Sequence, residues 1–252
     1  MIVTNPRELF SSFSAWRLIA LAVVLLSGCA ATPTVPPAAR AELVPMGRLR
    51  VGLILSNQVL VTKDSNSGEL RGVTINLGKA LAQRFGVPFE SVGYANPAAL
   101  VKSFGGNEWD IAFLAFDPER AKDVNFSPPY MEVDNTYLVT ANSKVASAET
   151  ADRSGVTIAV PERSAPDLFL SRNLKSAQVL RVPGGAEAAI QALTSGKADA
   201  CAENAHMLSL YADRLPDLCR GSEGRWDGRG CYSGSRFAAN PSSSPFPCEM
   251  IS

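Results

Sequence analysis

Polar and apolar positions change register repeatedly along this chain, and the changes lay out its elements. Residues 48–54 (RLRVGLI) alternate into an apolar run and predict a first strand. Residues 55–69 are polar and predict a loop, with a turn at 66–68. Val73, Leu77, Leu81 and Phe85 then recur every four residues, which predicts one apolar helix face, and Gly86 and Pro88 stop that helix. A strand over 89–94 and a short helix over 97–104 follow. Residues 111–116 (IAFLAF) predict a buried strand that ends in a turn at Asp117-Pro118. Asp117 suits an N-cap and Pro118 the first helical position, so Arg120 projects from the first turn. On this local pattern Arg120 reads either as a solvated side chain or as a fork for a carboxylate. Residues 132–141 predict another extended segment.

The pattern starts afresh near residue 155. Residues 156–160 and 178–182 predict strands, and Ser164-Ala-Pro-Asp167 has the form of a capping box opening a helix through Arg172. Ala186, Ile190 and Leu193 mark a helix stopped by Gly196; a strand over 198–202 and a helix over 204–214 complete the series. Strands alternating with helices of this length predict parallel α/β sheets, and the restart predicts two similar lobes.

The ends change this picture. Arg7 and Arg17 precede an apolar run over 18–26, followed by Ser27-Gly28-Cys29. A basic start, a short apolar core and small residues describe an export signal too short for a membrane span. Leu26-Ser-Gly-Cys29 also resembles a bacterial lipobox, which implies cleavage before Cys29 and lipidation of its sulfur. The expectation is a signal peptide over 1–28, with the protein anchored in the membrane by lipid and exposed to the periplasm. Residues 29–46, rich in Ala and Pro, read as a semi-extended tether. From residue 217 the chain is rich in Gly, Ser, Pro and Cys and keeps no apolar period, so it predicts an irregular tail without a core strand.

Composition narrows the function classes. Of 252 residues 46% are hydrophobic and 19% charged, with 24 basic and 24 acidic side chains. That is ordinary globular composition, enough for two small lobes. The charge balance argues against a nucleic-acid partner, and a single His argues against a His-based metal site. No cofactor is expected. Cys201 falls on a predicted strand and reads as a core thiol. The spacings of Cys219, Cys231 and Cys248 fit no metal pattern.

Seven pieces in order resemble the family 3 (amino-acid type) extracellular solute-binding proteins of bacterial ABC transporters. They are Gly47-Arg-Leu-Arg-Val-Gly52, Gly72-Val-Thr-Ile-Asn-Leu77, Trp109-Asp-Ile, Pro118-Glu-Arg120, Phe126-Ser-Pro-Pro-Tyr130, Val156-Thr-Ile-Ala-Val160 and Gly196-Lys-Ala-Asp-Ala200. The resemblance covers about residues 47–216. It implies an α/β, type II periplasmic-binding-protein fold with lobe 1 over 47–140, lobe 2 over 141–216, a crossover near 137–142 and a central ligand cleft. It further implies Arg120 as the carboxylate-binding residue and Ser164 as a second contact for that group. Asn204 stands where the family usually places an acid for the ligand ammonium, and Glu203 is beside it. Asp117, where Thr is common, and Asn57, in a segment replacing the usual aromatic floor, complete the expected ligand set. Asp110 and Asp199 are expected to buttress their strands.

The implied function is a receptor that closes on an amino acid or similar small polar, carboxylate-bearing solute and hands it to an ABC permease. The set contains no catalytic residue. An alternative is a cyclohexadienyl-dehydratase-like enzyme on the same fold, with Glu203 as general acid. A further one is a non-functional product whose non-native tail replaces the return of the chain to lobe 1.

Overall fold

The structure, a computed structural model, describes residues 35–140, 143–212, 214–215, 232–233 and 246–251. The first helix, α1 (Pro37–Leu43), falls where an extended tether was expected. Pro37 at its start and the Ala-rich run behind it favour a helical turn, and Arg40 fixes it by donating to the Phe85 carbonyl.

Lobe 1 begins with β1 (Leu49–Ile54), buried along its whole length. A small hairpin of β2 (Thr62–Lys63) and β3 (Leu70–Arg71) precedes α2 (Val73–Phe85), and β4 (Phe89–Tyr94), α3 (Pro97–Lys102) and β5 (Ile111–Ala115) follow. Parallel pairing sets β1 between β4 and β5. The four-residue periodicity of α2 is right only for its second half, where Phe85 is buried and Leu81 partly so. In its first half Val73 and Leu77 are exposed at 39% and 38%, while Thr74, Gly78 and Ala82 are buried. Gly78 explains the choice: a Cβ there would stand 2.8 Å from the Phe89 ring and 3.2 Å from Val51. The small residues let helix and sheet approach closely, which the larger stripe would prevent.

β6 (Met131–Val133) belongs to the first sheet and β7 (Asn135–Val139) to the second, so the chain crosses between lobes at Asp134, earlier than the expected 137–142. The Ala205 N–H donates to the Asp134 carbonyl at 2.8 Å and ties the crossover to the end of lobe 2. Lobe 2 continues with β8 (Thr157–Pro161), α4 (Ala165–Asn173), β9 (Gln178–Val182), α5 (Ala186–Thr194), β10 (Ala200–Asn204) and α6 (Ala205–Ala212). Strand alternation splits its core into two layers. Ile158, Val160, Ala200, Ala202 and Leu170 pack on one face, and Ala159, Cys201, Ile190, Leu193 and Met207 on the other. Burial raises the Cys201 thiol well above its ordinary pKa.

The tail departs from expectation. β11 (Tyr232–Ser233) pairs antiparallel with β7, and β12 (Phe246–Ile251) lies antiparallel between β5 and β6, within the lobe 1 sheet. A short apolar segment can join a sheet through pairing with strands far away in sequence, although its Gly- and Ser-rich flanks hide it from a composition reading.

Each lobe uses an Asp in the same way. Asp110 donates its N–H to the Arg50 carbonyl and accepts the Arg50 N–H at 2.7 Å; Asp199 does the same with Thr157, at 2.8 and 2.9 Å. In lobe 1 the Arg50 guanidinium adds a buried ion pair to Asp110 at 2.6 Å and a bond to the Asn107 carbonyl.

Candidate functional site

β1, β5, β8 and β10 end at Ile54, Ala115, Pro161 and Asn204, and all four residues line one cavity of about 80 Å³ between the lobes. Carboxyl ends of parallel strands leave backbone groups and loop side chains free to converge there, which is why α/β sheets place sites at them. Most of the lining is apolar, including Leu60, Phe113, Val133 and Met207.

Of the residues expected to hold ligand, Arg120, Ser164, Asn204, Glu203 and Asn57 all line this cavity. Asp117 does not. Its carboxylate accepts a fork from Arg172 of lobe 2, at 2.7 and 3.2 Å, and caps its own turn by accepting the Glu119 N–H at 2.9 Å. The expected N-cap role and the ion pair together turn Asp117 away from the cavity.

Arg120 is 4% exposed. It sits in a 3-10 turn after β5, where its Nη1 donates to the Ala115 carbonyl at 2.7 Å and its Nη2 to the Arg163 carbonyl of lobe 2. Its Nε is buried and has no hydrogen-bond partner among the described residues. Nor does any carboxylate there form an ion pair with it. Burial pulls its pKa down to about 10, partly opposed by the more distant Asp117 and Asp167 charges, so the side chain remains a cation at neutral pH. Arg163 holds φ at 56°, in the left-handed region that disfavours a side chain. That conformation presents its carbonyl to Arg120 and turns the chain into α4.

Ser164 is the N-cap of α4, accepting the Asp167 N–H at 3.3 Å, and Pro166 occupies the first turn. Ser164, Ala165 and Pro166 all line the cavity, so the positive end of this helix meets it beside the Arg120 cation. The combination favours an anion.

On the opposite strand end, β10 occupies 200–204, two residues beyond its predicted span, and carries Glu203 and Asn204 into the cavity wall. Asn204 spends its side-chain oxygen on the His206 and Met207 N–H groups, which it caps at 2.9 and 3.3 Å. Glu203 accepts the Asn204 N–H at 2.8 Å and has no cation partner among the described residues. Burial pushes its carboxyl up to about 7, against the lowering effect of that N–H. Asn57 shapes the loop after β1 by accepting the Val59 N–H at 3.2 Å.

Three wall residues escaped the sequence reading. Asn135, buried, stands opposite Asn204 in the β7–β10 ladder, and only the position of the crossover identifies it. Gly185 and Ser56 meet across the lobes: a Cβ at Gly185 would lie 2.8 Å from Ser56 Cβ. No group of three or more His, Cys, Asp or Glu among the described residues could hold a metal ion. No helix among them is long and apolar enough to cross a membrane. Cys29, Cys219 and Cys231 lie outside the described residues.

Residues 49–180 match the model of the bacterial extracellular solute-binding proteins, family 3. The chain belongs to that family. It is 25% identical over 213 residues to the ABC transporter glutamine-binding protein GlnH of Bacillus subtilis (strain 168), covering 80% of this chain and 77% of the relative. Among solved structures it is similar to the ancestral amino-acid-binding protein AncCDT-1, a precursor of cyclohexadienyl dehydratase. That likeness has 25% identity, a TM-score of 0.64 and 83% coverage of each chain. Holo ArgBP from T. maritima shares the fold at 22% identity and a TM-score of 0.65, over 86% of this chain and 85% of that one. The family 3 chain thus has the two-lobed type II architecture.

Proposed function

We propose that this protein is the receptor of an ABC importer and binds a net-neutral α-amino acid between its lobes. The observation that carries the reading is the buried Arg120 cation, which lines the cavity without a carboxylate partner among the described residues. A buried charge with no counter-ion is costly, and a ligand carboxylate would relieve that cost. Arg120 and the first turn of α4 form the anion end of the site. Glu203 forms the other end and receives the ligand ammonium in place of the acid that Asn204 replaces. Among the described residues the lining holds one cation and one acid, which match a zwitterion and leave no second acid for a cationic side chain. Asn57 and Asn135 flank the apolar wall and contact the ligand side chain. The names of the relatives, one a glutamine-binding protein, are consistent with amino-acid transport. An exported, lipid-anchored form at the periplasmic face of the membrane, tethered through Cys29, fits this role and places the receptor beside its permease.

A thermal-shift screen of the full chain against amino acids and organic acids, prephenate included, tests the reading. Stabilisation by neutral amino acids without turnover supports it. Product formation from prephenate would replace it with the dehydratase alternative, and stabilisation by arginine or lysine alone would overturn the charge argument.

A further inference from the structure

The turn after β5 holds α4 at both ends. At its start, Arg120 donates to the carbonyl of Arg163; at its last turn, Arg172 forks onto Asp117. Only the first of these contacts borders the ligand cavity; Asp117 and Arg172 lie outside its lining. The Asp117 side chain is 5% exposed and that of Arg172 is 43% exposed, so the pair spans the rim of the cleft from a buried acid to a solvated base. It opens onto a rim groove shared with Glu119, Glu162, Arg163 and Arg181.

We propose that the Asp117–Arg172 pair is an interlobe latch that sets ligand affinity without touching ligand. The pair can form only when the lobes are together. When they part, both charges are returned to water, so the pair favours the closed form alone. A receptor that binds tightly only when closed has an apparent affinity proportional to the closed fraction of its free form. A bidentate pair with one buried partner exceeds an ordinary surface pair in strength, because water screens it from one side only. Loss of the latch therefore weakens every ligand by the same factor, about three- to tenfold, and leaves the ranking among ligands unchanged. The carboxylate and ammonium contacts at Arg120 and Glu203 act differently: their removal depends on what the ligand carries.

The test compares the full-length wild type with Arg172→Met and Arg172→Lys, each checked for a cooperative melt. Small-angle scattering of the ligand-free proteins reads lobe separation, and calorimetric titration reads affinity for whichever amino acids bind. The expected result is a larger radius of gyration and a uniform three- to tenfold loss for Arg172→Met. Arg172→Lys, which keeps the charge but not the fork, falls between. Raising salt from about 20 to 500 mM weakens the wild type towards the Met variant, whose own affinity changes little. The latch is overturned if Arg172→Met keeps the wild-type radius, or if its salt response equals that of the wild type. The scattering arm decides even if no amino acid binds, an outcome that would count against the proposed function and not against the latch.

Discussion

Glu203→Gln trades stability against binding, and the sign of each change follows from one shifted carboxyl. Burial holds Glu203 at about 7 against an ordinary value of 4.5. Because the folded value is the higher one, the folded chain retains more protons than the unfolded chain between those two values. Stability from this group is complete below about 4.5 and is lost as pH rises through about 7. The shift corresponds to about 3 kcal/mol at most, and roughly 1–2 kcal/mol once water in the cavity is counted. Glutamine keeps the shape without the charge, so the variant is the more stable protein above pH 7. At about 2–4 °C per kcal/mol for a chain of this size, ligand-free Glu203→Gln melts about 2–8 °C above wild type at pH 8. Near pH 4 the two coincide. Binding moves the other way. At pH 8 the variant lacks the charge that meets the ligand ammonium and binds about ten- to a hundredfold more weakly. Wild-type affinity declines as pH falls from 8 to 5, while that of the variant stays nearly flat. Differential scanning calorimetry and titration calorimetry across that range read both effects. A variant that melts below wild type at pH 8 would show that burial does not raise the Glu203 carboxyl, and a wild-type affinity that ignores pH would show that Glu203 is not a contact for the ammonium.

Two further predictions rest on other parts of the molecule. Asp110→Ala strands the Arg50 guanidinium, whose side chain is 9% exposed, and loses about 3–5 kcal/mol of stability in urea unfolding; Asp110→Ala with Arg50→Leu recovers much of it. Gly185→Ala sets a methyl against Ser56, 2.8 Å away, at a backbone φ of 85°. It should hold the lobes apart and weaken binding at least tenfold by calorimetry, with Ser56→Gly restoring part of the loss.

What the sequence could convey depends on the range of the interaction involved. Strand β9 occupies the predicted 178–182 because its signal is local: a short run rich in Val and Leu between turns. The face of α2 was legible only towards its end, at Phe85; in the first turns the closeness of Phe89 and Val51 to Gly78 selects a stripe of smaller residues. Arg120 was ambiguous on local pattern; the ordered motifs nominated it, and the cavity lining includes it. Asp117 went astray because its partner Arg172 is 55 residues away and no local rule couples them. β12 was hidden for the same reason, its strand character coming from β5 and β6 rather than from its own composition.

In the proposed site the Arg120 cation waits for a ligand carboxylate. Titration calorimetry of wild type and Arg120→Met with one neutral amino acid identified by the screen, and with the corresponding amino-acid amide, tests it most directly. The amide is expected to bind wild type at least about a hundredfold more weakly than the acid, and Arg120→Met to lose a similar factor for the acid while barely changing for the amide. Equal affinity of wild type for acid and amide, or full affinity for the acid in Arg120→Met, would contradict it.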